Sequence, residues 1–224
     1  MMKKISIILI LLFLSGCTKT WENQWDKKYS ENEKIISQEK IILALWDSLT
    51  AWYNLDIKDS YPLQLEGLLK SEWYNYKVQN AWVSWDTSKN LLDRIWLYDD
   101  INPDIYLVGI WSNDWLRRQS VAEMKTNITL IIEHIKKINP DAMIVLQWMQ
   151  MPLNVGINYA KDFKKAFEDI SQEEKIYFYE FLLKDVATKN QLNLSDWIHP
   201  NQQGYAIIAK NIYNFLIEKN LITP

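Results

Sequence analysis

Hydrophobic positions along the chain alternate between short apolar runs and longer stretches in which apolar residues recur every three to four positions. A short apolar run bounded by polar residues predicts a buried β-strand, and a 3.6-residue period predicts an amphipathic helix. We therefore predict strands at residues 41–45, 76–81, 104–110, 142–147 and 176–181. We predict helices at residues 61–72, 87–98, 121–138, 159–170 and 204–219.

Strands that alternate with helices in this way indicate an α/β fold, with a parallel sheet covered by helices on both faces. In such sheets, ligands bind beyond the carboxyl ends of the strands, where the strand order reverses. Three polar clusters directly follow predicted strands, at residues 47–48, 84–87 and 112–114. We expect all three to share one rim of the sheet, which makes that rim the candidate site.

The N-terminal segment has the pattern of a secretory signal peptide. Lys3 and Lys4 precede an apolar run over residues 5–14, which is too short for an ordinary membrane span. The sequence Leu14-Ser15-Gly16-Cys17 resembles the bacterial lipobox, in which the cysteine becomes the lipidated first residue of the mature protein. We expect residues 1–17 to be a lipoprotein signal peptide. Acyl chains on Cys17 would then hold an exported protein on the extracytoplasmic or periplasmic face of the cell envelope.

Residues 18–38 are polar and lack periodicity, so we predict a tether between the lipid and a single domain at residues 39–224. The formal net charge of −3 argues against a nucleic-acid partner, because such proteins usually carry a basic stripe. One cysteine and two histidines cannot form a typical zinc site, and we expect neither a metal nor another cofactor. The single cysteine also excludes an intramolecular disulfide.

The candidate chemistry centres on a histidine. A serine nucleophile needs a base, and the base needs an orienting acid. His134 falls in a predicted helix, on the side that we expect to face solvent. His199 lies in Asp196-Trp197-Ile198-His199-Pro200, where the following proline disfavours helical geometry and Asp196 is close enough to bind the ring. Taken alone, His199 fits a packing or capping role equally well.

Four blocks in register resemble the GDSL (SGNH) hydrolases over residues 40–220. They are Asp47-Ser48-Leu49-Thr50, residues 81–87, Asn113-Asp114, and the His199 block. The resemblance is strongest to the bacterial acyl-CoA thioesterase/lysophospholipase group and its arylesterase-like relatives. It implies a three-layer, flavodoxin-like fold with a five-stranded parallel sheet.

The resemblance also implies the role of each site residue. Ser48 would attack the ester carbonyl, His199 would carry the proton to the leaving group, and Asp196 would hold the imidazole tautomer. The backbone N–H groups of Ser48 and Trp85 and the amide of Asn113 would form the oxyanion hole. We interpret Asp47 and Asp114 as structural supports.

Tryptophan stands where this family usually or often carries glycine. For example, Trp46 precedes Asp47-Ser48-Leu49, where the family has Gly-Asp-Ser-Leu. The nine positions of this kind are Trp46, Trp52, Trp73, Trp82, Trp85, Trp111, Trp115, Trp148 and Trp197. The chain has 12 Trp and only 5 Gly, and Trp21, Trp25 and Trp96 lack a clear family glycine. An indole lacks the backbone freedom of glycine. Overpacking costs about 1–3 kcal/mol per site, so nine sites would rival a total stability of about 5–15 kcal/mol.

We therefore hypothesise that most of these tryptophans are encoded by UGA codons that the source organism reads as glycine, with deliberate glycine-to-tryptophan engineering as the rival explanation. The function that we expect is a monomeric serine esterase or thioesterase acting on small acyl esters, of the lysophospholipid, aryl or acyl-thioester type. One alternative is a carbohydrate O-deacetylase, which uses the same triad on a shorter acyl group. Another is a catalytically inactive lipoprotein binding module, if the tryptophans are real.

Overall fold

Five short apolar segments form one parallel β-sheet in the computed structural model, which describes residues 39–46, 55–110, 112–149, 156–196 and 199–224. The strands are β1 (Lys40–Leu45), β2 (Tyr76–Asn80), β3 (Ile105–Val108), β4 (Met143–Gln147) and β5 (Tyr177–Tyr179). Their order across the sheet is β2-β1-β3-β4-β5, and every neighbouring pair is parallel. This is the flavodoxin-like order, which reverses direction between β1 and β3.

The central strands are buried on both faces. Ile42 is fully buried and pairs with Val78 of β2 on one side and Ile105 of β3 on the other. All four residues of β3 are buried. Continuous apolar runs of this kind are what a sheet covered on both faces requires.

Six α-helices cover the sheet within the described ranges: α1 (Tyr61–Ser71), α2 (Ser88–Arg94), α3 (Ser112–Leu116), α4 (Val121–Ile138), α5 (Ile157–Glu173) and α6 (Gln202–Glu218). Short 3₁₀ helices lie at Ile57–Asp59, Ile95–Ile101 and Asn190–Leu192. Helix α1 packs against α6, and α4 packs against both α2 and α5. The predicted three-layer α/β/α fold with a five-stranded parallel sheet is thus confirmed.

Several element boundaries differ from the prediction. The helix predicted at residues 87–98 is divided, because α2 ends at Arg94 and the chain continues as a 3₁₀ helix to Ile101. Helix α3 was not predicted, since five residues are too few to show a helical period. Strand β5 has three residues where six were predicted. Helix α4 spans residues 121–138, as predicted.

The predicted signal peptide, Cys17 and the tether lie outside the described residues, so these assignments remain predictions. Within the described ranges, none of the helices is both long enough and apolar enough to cross a membrane.

Candidate active site

The loop that carries Asp196 and His199 is closed at its base by backbone contacts. The N–H of Leu194 donates to the carbonyl of His199 at 2.8 Å, and the N–H of Asn201 donates to the carbonyl of Leu192 at 2.9 Å. Asn193 and Pro200 form an isolated antiparallel bridge. The loop therefore returns on itself immediately before α6 and holds its two polar side chains within a short span.

Asp196 contacts His199 through both carboxylate oxygens. Oδ2 lies 2.7 Å from Nδ1 of the ring, and Oδ1 accepts the backbone N–H of His199 at 3.0 Å. The His199 side chain is 13% exposed and the Asp196 side chain 31%. A carboxylate on Nδ1 fixes the orientation of the imidazole and favours its protonated form during a proton transfer. This geometry suits a histidine base with its orienting acid.

The predicted nucleophile, Ser48, lies outside the described residues, as do Asp47, Trp52, Trp111 and Trp197. The chain leaves the sheet after Leu45, the last residue of β1, and Trp46 is the last residue described before Ser48. Strand β1 lies between β2 and β3, at the point where the strand order reverses. The contact between Ser48 and His199 therefore remains a prediction.

Asn113 lies in α3, just beyond the carboxyl end of β3, and is 3% exposed. Its Nδ2 donates to the backbone carbonyl of Asp86 at 2.9 Å. A primary amide has two N–H hydrogens, and this bond uses one of them. The bond brings the amide against the loop that follows β2, as the predicted shared rim requires.

Residues 83–86 of that loop form a β-turn that contains Trp85. The N–H of Asp86 donates to the carbonyl of Val83 at 3.3 Å, and the φ of Trp85 is +69° while Ser84 is not among the positive-φ residues. A turn in which the third residue has a positive φ and the second does not is a type II turn, and glycine is preferred at that third position. The side chain of Trp85 is 68% exposed. The overpacking expected at this position is therefore not observed, and the cost of a tryptophan here falls on the backbone.

Asp114 joins α3 to the start of α2. It is fully buried and accepts the Ser88 N–H at 2.7 Å and the Ser88 hydroxyl at 2.6 Å. Asn127 of α4 donates in turn to the Ser88 hydroxyl oxygen at 3.1 Å. Burial raises the pKa of the Asp114 carboxyl, while the hydrogen bonds from Ser88 act in the opposite direction. The contacts support the structural role predicted for Asp114.

Arg94 is a residue of the site region that the sequence did not single out. Its Nε donates to the Asp86 carboxylate at 2.6 Å, and its guanidinium also contacts the hydroxyl of Tyr98. A further hydrogen bond reaches the carbonyl of Ala81 at 3.4 Å. Arg94 therefore ties both ends of the loop at residues 81–86 to α2. Nothing in the hydrophobic pattern marks Arg94, because the pairing depends on the path of the loop.

His134 belongs to a separate pair on another part of the fold. Its Nε2 lies 2.7 Å from Oδ1 of Asp99, in the 3₁₀ helix at Ile95–Ile101. The side chain is 28% exposed, so it faces solvent only in part. Tyr106 lines the same cleft, and burial raises its pKa to about 12. The structure does not bring His134 to the candidate site.

Of the nine tryptophans at predicted glycine positions, the structure describes six, which form a buried or half-buried group (Trp46, Trp82, Trp115 and Trp148) and an exposed group (Trp73 and Trp85). Trp46 and Trp115 are buried, Trp46 with its ring so close to Gly109 that a Cβ there would overlap it. Trp46 donates through Nε1 to Oε1 of Gln147 at 2.6 Å, and the ring centroid of Trp115 lies 5.2 Å from that of Tyr159. The fold has room for these two indoles. The overpacking cost that was summed over nine sites therefore does not apply at every one of them.

Trp73 belongs to the second group, which is exposed and strained in the backbone. It follows α1 with φ +66° and is 89% exposed. Its N–H donates to Lys70 O at 3.2 Å, and the N–H of Tyr74 donates to Leu69 O at 2.9 Å. These two bonds define a Schellman motif, in which the left-handed residue is usually glycine. Trp73 and Trp85 thus occupy positions whose backbone favours glycine, irrespective of family resemblance.

Comparison with known proteins matches this chain to ester and thioester hydrolases. The model of the GDSL-like lipase/acylhydrolase family matches residues 44–207. An arylesterase from Vibrio mimicus is 29% identical over 79% of this chain and 88% of its own length. The thioesterase 1/protease 1/lysophospholipase L1 of Escherichia coli is 29% identical over 75% of this chain and 79% of its own. The crystal structure of the psychrotrophic esterase EstA from Pseudoalteromonas, inhibited by monoethylphosphonate, has a TM-score of 0.76, with 30% identity over 81% of this chain and 98% of that one.

Proposed function

The chain belongs to the GDSL-like lipase/acylhydrolase family and is a carboxylic-ester hydrolase, and we propose that it cleaves its substrates with a triad of Ser48, His199 and Asp196. The single observation that carries this proposal is the pair formed by His199 and Asp196, with 2.7 Å between Nδ1 and Oδ2. The pair lies in a closed loop before α6. Its order in the chain, after a serine that follows β1, is the order of the family.

The chemistry would proceed through an acyl-enzyme. As the Ser48 hydroxyl oxygen attacks the carbonyl carbon, Nε2 of His199 takes its proton and the carbonyl oxygen becomes an oxyanion. When the tetrahedral intermediate collapses, His199 returns that proton to the leaving oxygen or sulfur, and Ser48 keeps the acyl group. A water molecule, activated by the same histidine, then releases the carboxylic acid and restores the Ser48 hydroxyl.

Three donors would stabilise the oxyanion: the backbone N–H groups of Ser48 and Trp85, and the second amide hydrogen of Asn113. The bond from Asn113 Nδ2 to the carbonyl of Asp86 at 2.9 Å supports this grouping, because it holds the amide next to the turn that contains Trp85. Loss of one such donor typically lowers kcat by about 100- to 1,000-fold.

We propose acyl esters and thioesters as the substrate class, with lysophospholipids and aryl esters included. The names of the relatives from Vibrio mimicus and Escherichia coli support this range, since they comprise an arylesterase, a thioesterase and a lysophospholipase. We further propose that lipidation of Cys17 anchors the enzyme at the cell envelope as a monomer, so that lipid-derived esters would be close at hand.

The proposal is tested by hydrolysis of p-nitrophenyl esters of increasing acyl length and of a lysophospholipid. For this assay the enzyme is produced with glycine in place of tryptophan at the predicted glycine positions. The matched control is the same protein with the S48A substitution. We expect turnover that depends on Ser48 and extends beyond acetyl esters. Activity confined to acetyl groups would favour an O-deacetylase. Substrate binding without Ser48-dependent turnover would favour the binding module and refute the triad.

A further inference from the structure

The peptide bond between Ser84 and Trp85 carries the N–H that the proposed oxyanion hole needs. It is the central peptide of the type II turn at residues 83–86, in which the φ of Trp85 is +69°. Type I and type II turns differ mainly by a rotation of this central peptide through about 180°. The N–H of residue 85 therefore points in opposite directions in the two forms.

The groups on either side of this peptide are fixed by hydrogen bonds. Arg117 donates through Nη2 to the carbonyl of Trp85 at 2.8 Å, and Asn113 donates to the carbonyl of Asp86 at 2.9 Å. On the other side, the N–H of Val83 donates to the carbonyl of Trp46 at 3.3 Å. Within the described residues, no group bonds to the carbonyl of Ser84 or to the N–H of Trp85. The central peptide is thus the one unit of the turn that can rotate while its neighbours stay in place.

We propose that this peptide is a two-position switch of the oxyanion hole and that residue 85 is the positioning residue that sets it. In the type II form, the N–H of residue 85 serves as a donor to the oxyanion. In the type I form, the carbonyl of Ser84 takes its place and repels the developing negative charge. The inference rests on the proposed function, because it concerns the donor that residue 85 supplies there.

The residue type at position 85 then controls the fraction of enzyme that can react. Glycine adopts positive φ about as readily as negative φ. For an L-residue with a Cβ, the left-handed conformation is disfavoured by about 5- to 30-fold, and asparagine tolerates it better than most. Trp85 is 68% exposed, so its cost at this position comes from the backbone and not from packing.

The test is a series at position 85 chosen so that backbone preference and size predict different orders. The full chain, carrying W46G, W52G, W82G, W111G and W197G, is compared with Trp85 retained and with W85G, W85N and W85A. We expect kcat for a p-nitrophenyl ester to fall in the order glycine, asparagine, then alanine and tryptophan together. The glycine variant should exceed the alanine variant by about tenfold, with KM changed by less than about twofold.

Position 73 supplies the matched control, because Trp73 has φ +66° and is 89% exposed but lies at the end of α1, ahead of β2. The same substitutions there should change the Tm in the same order and leave kcat unchanged. An alanine variant at position 85 as active as the glycine variant, or more active than the asparagine variant, would overturn the inference. So would an equal change in kcat from the series at position 73. If S48A hydrolyses the ester as fast as its parent, the proposed function itself fails.

Discussion

Asp114 holds Ser88 at two points, through a backbone N–H at 2.7 Å and a hydroxyl at 2.6 Å. The pair connects the helix that carries Asn113 to the first residue of α2. Because Asp114 is fully buried, hydrogen bonds from Ser88 and from its own backbone N–H, together with the positive charge of Arg117, stabilise its carboxylate in place of water. The relative position of the two loops at the rim therefore depends on a charge that is expensive to bury.

Replacement of Asp114 by asparagine should destabilise the protein by about 1–3 kcal/mol, because the single amide oxygen can replace only one of the two carboxylate oxygens that accept from Ser88. Burial raises the pKa of Asp114 in the folded state above that of a solvent-exposed aspartate. A carboxyl group whose pKa is raised on folding destabilises the folded state when it is ionised. This cost is relieved as the pH falls from the pKa of the folded state towards that of the unfolded state. The advantage of the parent over Asp114→Asn should thus grow on acidification in that window. Denaturant titrations of both proteins across the acidic range measure it, and an advantage that shrinks would contradict this account.

The two histidines should respond very differently to removal. His199→Ala should abolish Ser48-dependent turnover, since no base would then remain to activate the serine. His134→Ala removes a partly exposed contact with Asp99 and should lower the free energy of unfolding by no more than about 1 kcal/mol. Steady-state kinetics and Tm are measured for both variants. Equal losses of kcat would refute the assignment of His199 as the base.

Asp196 should matter through the orientation of His199. Asp196→Asn keeps the size of the side chain but can offer its NH₂ to Nδ1, which selects the wrong tautomer. By analogy with triads in general, kcat should fall by about 10⁴-fold, while the Tm changes little, because the loop remains closed by the bonds of Leu194 and Asn201. The pH profile of kcat/KM gives an independent readout. A full retention of kcat would show that the pair serves only the loop.

Cys17 should carry the lipid anchor. In cells, the mature protein should partition into the detergent phase, and Cys17→Ser should be released into the aqueous phase or remain unprocessed. Detergent-phase separation and mass spectrometry of the N-terminal peptide measure this. A parent protein found wholly in the aqueous phase without an acyl group would defeat the lipobox interpretation.

The recoding hypothesis predicts glycine in the native protein at positions 46, 52, 82, 85, 111 and 197, detectable by peptide mass spectrometry. Trp73 allows a quantitative check, because its strain is confined to the backbone. Trp73→Gly should raise stability by about 1–2 kcal/mol, whereas Trp73→Ala, which keeps a Cβ, should give little gain. A native peptide with tryptophan at these positions, from a fully active enzyme, would discard the recoding hypothesis and leave the triad intact.

The parts of the fold that the sequence predicted were those that follow from local patterns. The 18-residue helix α4 has five buried residues at helical spacing, and its predicted bounds match the structure. The parallel sheet covered by helices followed from the alternation of elements, and its flavodoxin-like order was implied by the family resemblance. Asp196 and His199 are three residues apart, so their contact could be proposed from spacing alone.

The remaining features depend on contacts between distant segments. Arg94 reaches Ala81 and Asp86, and Asn127 reaches Ser88, 39 positions away. No periodicity in the chain encodes these bonds. The surface position of Trp85 was missed for a similar reason: a glycine position was inferred to be crowded, whereas the turn directs the side chain outward and leaves only the demand on φ.

The closed loop between Leu192 and Asn201 has a consequence for how the catalytic groups assemble. The base and its orienting acid meet within one short loop, so the entropy of bringing them together is small. The position of a nucleophile after β1 depends instead on the parallel sheet. The strand pairings of this sheet join distant parts of the chain and therefore form slowly. The loop can therefore acquire its geometry before the sheet is complete. It could in principle be moved, with α6, to another α/β scaffold that presents a serine at the same rim.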